Sequence, residues 1–198
     1  MFDIQLRFIQ RSVFMTKTKK LTLSAMLTAL SFALIMVSKL LPAPWTQGGY
    51  ITLGSMVPII LVSIIIDTKW GLLAGFVFSL IQLMTDFYMP PATTTLSFIG
   101  VIMLDYVIAF TVLGLAGFFV KLMGNKPWAI PVSGTIVTGL RYMMHVLSGL
   151  LIWGAFADTD CVPVYALVYN GSYMIPEMII TTVVLALLTP KLTQKTDK

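Results

Sequence analysis

Few side chains in this sequence could do chemistry, and those few are oddly placed. The only histidine, His145, sits in an apolar run over 140–154, with Arg141 four residues before it and Trp153 eight after. Positions 141, 145, 149 and 153 are each four apart, so on a helix of 3.6 residues per turn they share one broad face. That face would carry a guanidinium, an imidazole, a glycine gap and an indole. Hydrocarbon does not tolerate such a stripe, so it must look into protein or a wet cavity. Asp105, Asn170 and Glu177 stand in equally apolar surroundings.

Composition dictates what positions them. Of 198 residues, 58% are hydrophobic and 11% charged, where a soluble domain carries about 25% charged residues. The chain therefore reads as an all-α, polytopic membrane protein. A spanning helix needs roughly 20 apolar residues, and six segments qualify, near 21–41, 51–66, 71–88, 97–120, 129–153 and 164–189. The second is short, as for a tilted or partly inserted helix. Turn chemistry breaks the chain at Pro42 and Pro44 with Gly48 and Gly49, at Asp67, Pro90 and Pro91, Gly124 and Pro127, Asp158 and Asp160 with Pro163, and at Pro190. The first run lacks a small-residue cleavage site and reads as a retained helix. The expected organisation is a cytoplasmic N-terminal extension over 1–20, a transmembrane domain over 21–189 and a cytoplasmic tail over 190–198. Residues 1–14, ahead of a second start at Met15, read either as an upstream extension or as a short interfacial helix.

Lysine and arginine set the orientation. With the N-terminus inside, the cytoplasmic segments hold Arg7, Arg11, Lys17, Lys19, Lys20, Lys69, Lys121, Lys126, Lys191, Lys195 and Lys198, and the outer segments only Lys39. Asp86, Asp158 and Asp160 lie at or near the outer face. Both termini are expected in the cytoplasm, and the net charge of +5 needs no nucleic acid to explain it.

At about 1.5 Å per residue, Asp105 falls roughly 12 Å below the outer end of the fourth helix, His145 about 12 Å below Trp153, and Asn170 about 9 Å below Val164. Three polar side chains on consecutive helices converge on one depth, ringed by Tyr106, Trp153, Tyr165, Tyr169 and Tyr173. This predicts an outward-facing, aromatic-lined pocket for a small molecule. A purely structural bond between His145 and Asp105 is the alternative. Arg141 and Glu177 lie deeper, about 18 and 20 Å down, and are expected to form a structural ion pair at the pocket floor.

Absent motifs narrow the mechanism. A single cysteine, Cys161, excludes an internal disulfide, and one histidine without a cysteine cluster leaves no metal or cofactor expected. No phosphate-binding Gly-x-x-x-x-Gly-Lys-Ser/Thr loop occurs, so ATP hydrolysis by that route is excluded. Ser148, three residues after His145, has no identified orienting carboxylate and is a poor nucleophile. On the first helix Ala25, Ala29 and Ala33 form a small-residue face suited to close helix contact.

The six-helix plan, the Ala25-x-x-x-Ala29 face, Leu104-Asp-Tyr-Val, Arg141-Tyr-x-x-His145 with Trp153, and Tyr165-x-x-x-x-Asn170 together resemble the thiamine-specific S-component of energy-coupling factor (ECF) transporters. The likeness runs from the first helix to the sixth and is densest over 104–170. It implies a vitamin-binding subunit of the cell membrane that is not an enzyme and has no ATPase of its own. Such a subunit assembles with a transmembrane T-component and two ATP-binding subunits, docking through Ala25, Ala29 and Ala33. ATP hydrolysis by those partners would tip the loaded subunit and release the vitamin to the cytoplasm. Asp105 stands where the family has a ligand-contacting glutamate, and Tyr106, His145, Trp153, Tyr165 and Asn170 match its binding residues in kind.

Thiamine joins an aminopyrimidine to a cationic thiazolium, which a carboxylate at 105 would complement. Stacking on the Trp153 indole would add cation–π attraction of about 2 kcal/mol when desolvated, and His145 and Asn170 would supply directional hydrogen bonds. The sequence departs from the family at Gly49 and Gln82, where tryptophans are usual, and at Thr95, where a tyrosine is. These departures keep open a related pyrimidine, a phosphorylated or larger analogue, or another heteroaromatic vitamin. From a different class, an intramembrane enzyme with His145 and Asp105 as acid–base pair is the remaining alternative.

Overall fold

The computed structural model describes residues 15–40, 48–92, 94–157 and 160–193. The expected extension over 1–14, the break at Pro42 and Pro44, Asp158 and the last five residues lie outside the described residues. Among the described residues six helical rods follow one another: α1 (Lys17–Ser38), α2 (Met56–Ile65), α3 (Thr68–Thr85), α4 (Thr95–Leu122), α5 (Ala129–Leu151) and α6 (Val162–Thr193). Local chemistry explains several starts. The hydroxyl of Thr16 accepts from the Lys19 amide at 3.3 Å, the Asp67 carboxylate from Trp70 at 3.0 Å, and the Thr94 hydroxyl from Ser97 at 3.2 Å. Each satisfies an amide that a helix start leaves without a partner.

Four of the rods, α1, α3, α4 and α6, are long and apolar enough to cross a membrane. Helix α5 has 23 residues but carries the polar stripe, and α2 has only 10. Helix α2 starts five residues later than its apolar run suggests. Gly54 holds a φ of +78° and Thr52 bonds Ser55, which keeps 52–55 as loop. The break expected at Pro190 does not occur, since α6 runs through it to Thr193. Pro163 occupies the second position of α6, where a missing N–H breaks no bond.

The distribution of polarity is inside-out. Helix α1 buries Ser24, Thr28, Ser31, Ile35 and Ser38, while Leu21, Met26, Leu30 and Val37 are exposed. Small hydroxylated residues let helices approach where hydrocarbon, not water, is the solvent. The larger core gathers Ile59, Ile60, Phe78, Leu113, Val137 and Leu185 between the rods.

Helix α4 is irregular along its length, with a π-helical stretch over Ile102–Ile108 and a 3₁₀ turn over Val112–Leu115. At the 3₁₀ turn and just after it, α4 is clamped to α2. Ser63 donates its hydroxyl to the Gly114 carbonyl and accepts from the Gly117 amide at 2.8 Å. A Cβ at Gly117 would stand 2.2 Å from the Ser63 carbonyl oxygen, so backbone itself must shift. Gly117→Ala is therefore expected to destabilise the detergent-solubilised protein by about 1–3 kcal/mol, read as a fall of several degrees in its thermal unfolding. Gly139→Ala, where a Cβ meets nothing within 4 Å, should leave the transition unchanged.

Candidate functional site

The π-helical stretch of α4 carries Asp105 and Tyr106 to one side of an internal cavity of about 110 Å³. At roughly 10–15 Å³ per ordered water this is room for a ligand rather than a packing flaw. Wider π turns are often found where a side chain must be re-aimed at a site. Three donors converge on the Asp105 carboxylate. His145 Nδ1 lies 3.0 Å from one oxygen, while Ser148 Oγ at 2.6 Å and Trp153 Nε1 at 2.9 Å donate to the other. On its far side His145 Nε2 accepts from Arg141 Nε at 3.3 Å. The two bonds together require a hydrogen on Nδ1 and a lone pair on Nε2, which is the neutral imidazole.

The stripe of four is correspondingly modified. Arg141, His145 and Gly149 share α5, but the helix stops at Leu151, and Trp153 opens a 3₁₀ turn over Trp153–Phe156. Its indole reaches Asp105 from beyond the helix end. Gly149 faces Ala166 and Asn170 of α6. The Asn170 amide donates to the carbonyls of Ala166 at 2.9 Å and His145 at 3.2 Å, and its oxygen accepts from Tyr173 at 2.6 Å. The convergence of Asp105, His145 and Asn170 on one depth is thus realised as a continuous bonded wall.

The loop before α2 closes another side. Tyr169 donates to the Gly48 carbonyl at 2.9 Å, and Tyr50 to the Asp86 carboxylate, which also pairs with Lys39 at 2.9 Å. Burial, reinforced by Asp86, pushes the Tyr50 phenol well above its usual range, so it remains a donor. Tyr106 donates to the Asp86 carbonyl at 2.6 Å and accepts from the Tyr88 amide at 3.1 Å. Gly49 holds a φ of +92° against the Tyr173 ring.

The floor differs from expectation. Arg141 and Glu177 both line the cavity but form no ion pair. One Glu177 oxygen accepts from the Thr52 amide of the loop, and the Arg141 guanidinium lies over the Phe110 ring, 4.2 Å from its centroid. The two charges face each other across the cavity without direct contact, each with a nearer partner of its own.

All six side chains expected in the pocket, Asp105, Tyr106, His145, Trp153, Tyr165 and Asn170, line this cavity, and Ala25, Ala29 and Ala33 are exposed on α1. Among the described residues no cluster suits a metal ion. Sequence reasoning missed Ser148, set aside as a nucleophile although its position three residues after His145 suits a shared partner. It also missed the Lys39–Asp86 pair, which opposite charges at one outer face could have signalled.

Fold and site together define a helical membrane protein with a cavity for a small polar molecule. Residues 21–197 match the thiamine transporter protein family (Thia_YuaJ), and the chain belongs to that family. It is similar to the thiamine transporter ThiT of Bacillus subtilis, 34% identical over 177 residues that cover 83% of this chain and 86% of that protein. Similarity to ThiT of Lacticaseibacillus paracasei is 32% over 97 residues, or 43% and 47% of the two chains. Its fold is that of a solved ThiT from Listeria monocytogenes, with a TM-score of 0.66 at 20% identity, covering 88% of this chain and 96% of the other. This is a multi-pass plasma-membrane transport protein, not an enzyme, which removes the acid–base reading of His145 and Asp105. Ser148→Ala takes one of three donors from a half-buried carboxylate, a loss of about 1–3 kcal/mol. The expected outcome is a lower melting temperature for the ligand-free protein with the helical circular-dichroism signal intact.

Proposed function

We propose that this chain is the substrate-binding subunit of an ECF-type importer and that its cargo is thiamine. The observation that carries the reading is one cavity lined by Trp153, Tyr165, Tyr169, Asp105 and Glu177, flat rings and acidic groups together. Flat rings hold a heteroaromatic cation by stacking and cation–π attraction, and the carboxyls complement its charge. Membership of a thiamine transporter family and the ThiT relatives support the same ligand. Residues 21–189 form the binding domain, with both termini in the cytoplasm and the cavity opening outward. The lysine distribution supports this orientation.

The subunit has no ATPase of its own and works with a T-component and two ATP-binding subunits. Ala25, Ala29 and Ala33 supply the docking face, a role supported by their exposure on α1 opposite its buried serines. Purified protein should show saturable quenching of tryptophan fluorescence by thiamine, with the vitamin recovered unchanged. Recovery of riboflavin or biotin as the copurifying molecule would end the thiamine reading. Trp153→Phe keeps a ring but loses the Nε1 donor, and should weaken binding by about 10-fold, equivalent to about 1.4 kcal/mol. Ala25→Trp and Ala29→Trp should abolish cellular uptake while thiamine titrations remain those of the parent protein. Loss of binding as well would place that face inside the bundle instead.

A further inference from the structure

The walls of the cavity and its floor are in different states of completion. Asp105 accepts three bonds, both ends of the Asn170 amide are engaged, and the Tyr106 hydroxyl is committed to the 86–88 backbone. On the floor, Glu177 is 2% exposed and only its Oε1 is bonded, to the Thr52 amide; its Oε2 has no partner. Gln82, also 2% exposed, leaves Nε2 without a partner. Both line the cavity, as does the Arg141 guanidinium that does not pair with Glu177. A buried acceptor with nothing to accept costs its full desolvation. Neighbouring helices could close on such a group, yet here the space beside it stays open.

We propose that Glu177 is a ligand-contacting, specificity-determining residue, with one carboxyl oxygen holding the loop at Thr52 and the other accepting a hydrogen bond from an uncharged hydroxyl or amino group of the bound molecule. This rests on the reading of the chain as a thiamine-binding subunit. Gln82 and Arg141 bring donors to the same floor, so the group favoured there both donates and accepts. A hydroxyl does so, and so does an amino group beside a ring nitrogen. A phosphate donates little and would set its charge against Glu177, a cost that the Arg141 guanidinium offsets only in part, since its Nε already bonds His145 and its plane lies over the Phe110 ring. The floor therefore selects for the free vitamin over its phosphate esters. Because the same side chain bonds the loop, filling the floor also steadies the loop.

The test titrates wild type, Glu177→Gln and Glu177→Asp with four probes: thiamine, thiamine lacking its hydroxyl, thiamine with its amino group replaced by oxo, and thiamine monophosphate. Glu177→Gln is expected to weaken thiamine about 10-fold or more and to narrow the gap between thiamine and the monophosphate. One of the two analogues without phosphate should bind wild type more weakly than thiamine yet respond little to Glu177→Gln, which identifies the contacting group. An equal weakening of all four probes would overturn the proposal and leave Glu177 as a loop anchor, as would an unchanged thiamine affinity. Glu177→Asp carries the same comparison if the glutamine variant does not fold. Failure of wild type to bind thiamine at all would instead overturn the functional reading on which the proposal stands.

Discussion

A carboxylate at membrane depth is costly unless donors converge on it, and Asp105 is the group on which this bundle turns. Its three donors come from two turns of α5 and the 3₁₀ turn that follows. That requirement ties α4 to α5 and favours the wide π turns that present Asp105 and Tyr106 together. It also accounts for the indole of Trp153, which answers the carboxylate only because α5 has already ended. The aromatic wall and the charge-neutralising group are thus one assembly, not two features that happen to be adjacent.

A second acidic residue organises the mouth. Asp86 engages Lys39 and Tyr50 through its side chain and Tyr106 through its carbonyl. The end of α3, the end of α1, the loop before α2 and the π stretch of α4 all meet there. The loop is therefore fastened from several directions, at Asp86, at Tyr169 through Gly48 and at Glu177 through Thr52. Cavity and cover share residues, so neither can be rearranged alone.

Much of this was legible in the sequence, for identifiable reasons. Runs of apolar residues reveal rods because the membrane imposes their length, and depth follows from helical rise, so Asp105, His145 and Asn170 could be placed together before any contact was known. What the sequence did not disclose were irregularities that tertiary contacts impose: the π turns of α4, the early end of α5 at Leu151 and the passage of α6 through Pro190. Arg141 and Glu177 stand beyond direct contact for a related reason. Depth along a helix says nothing of azimuth, and a loop amide and an aromatic face offered each charge another partner. Ser148 has the wrong surroundings for a nucleophile, and its hydroxyl instead donates to a carboxylate that helical spacing alone does not bring within reach.

Gly49 and Tyr173 bear on how this pocket could have diverged. A Cβ at position 49 would lie 2.5 Å from the Tyr173 ring, so the loop and α6 compete for one aromatic berth. A large ring fits there from one side or from the other, not from both. An indole introduced at 49 alone would collide, and a smaller residue at 173 alone would leave a void, while an exchange of the two would also require the loop to leave its φ of +92° at position 49. Sequence change at these sites is expected to proceed in pairs, and an inventory of aromatic residues at single positions understates what such a cavity keeps.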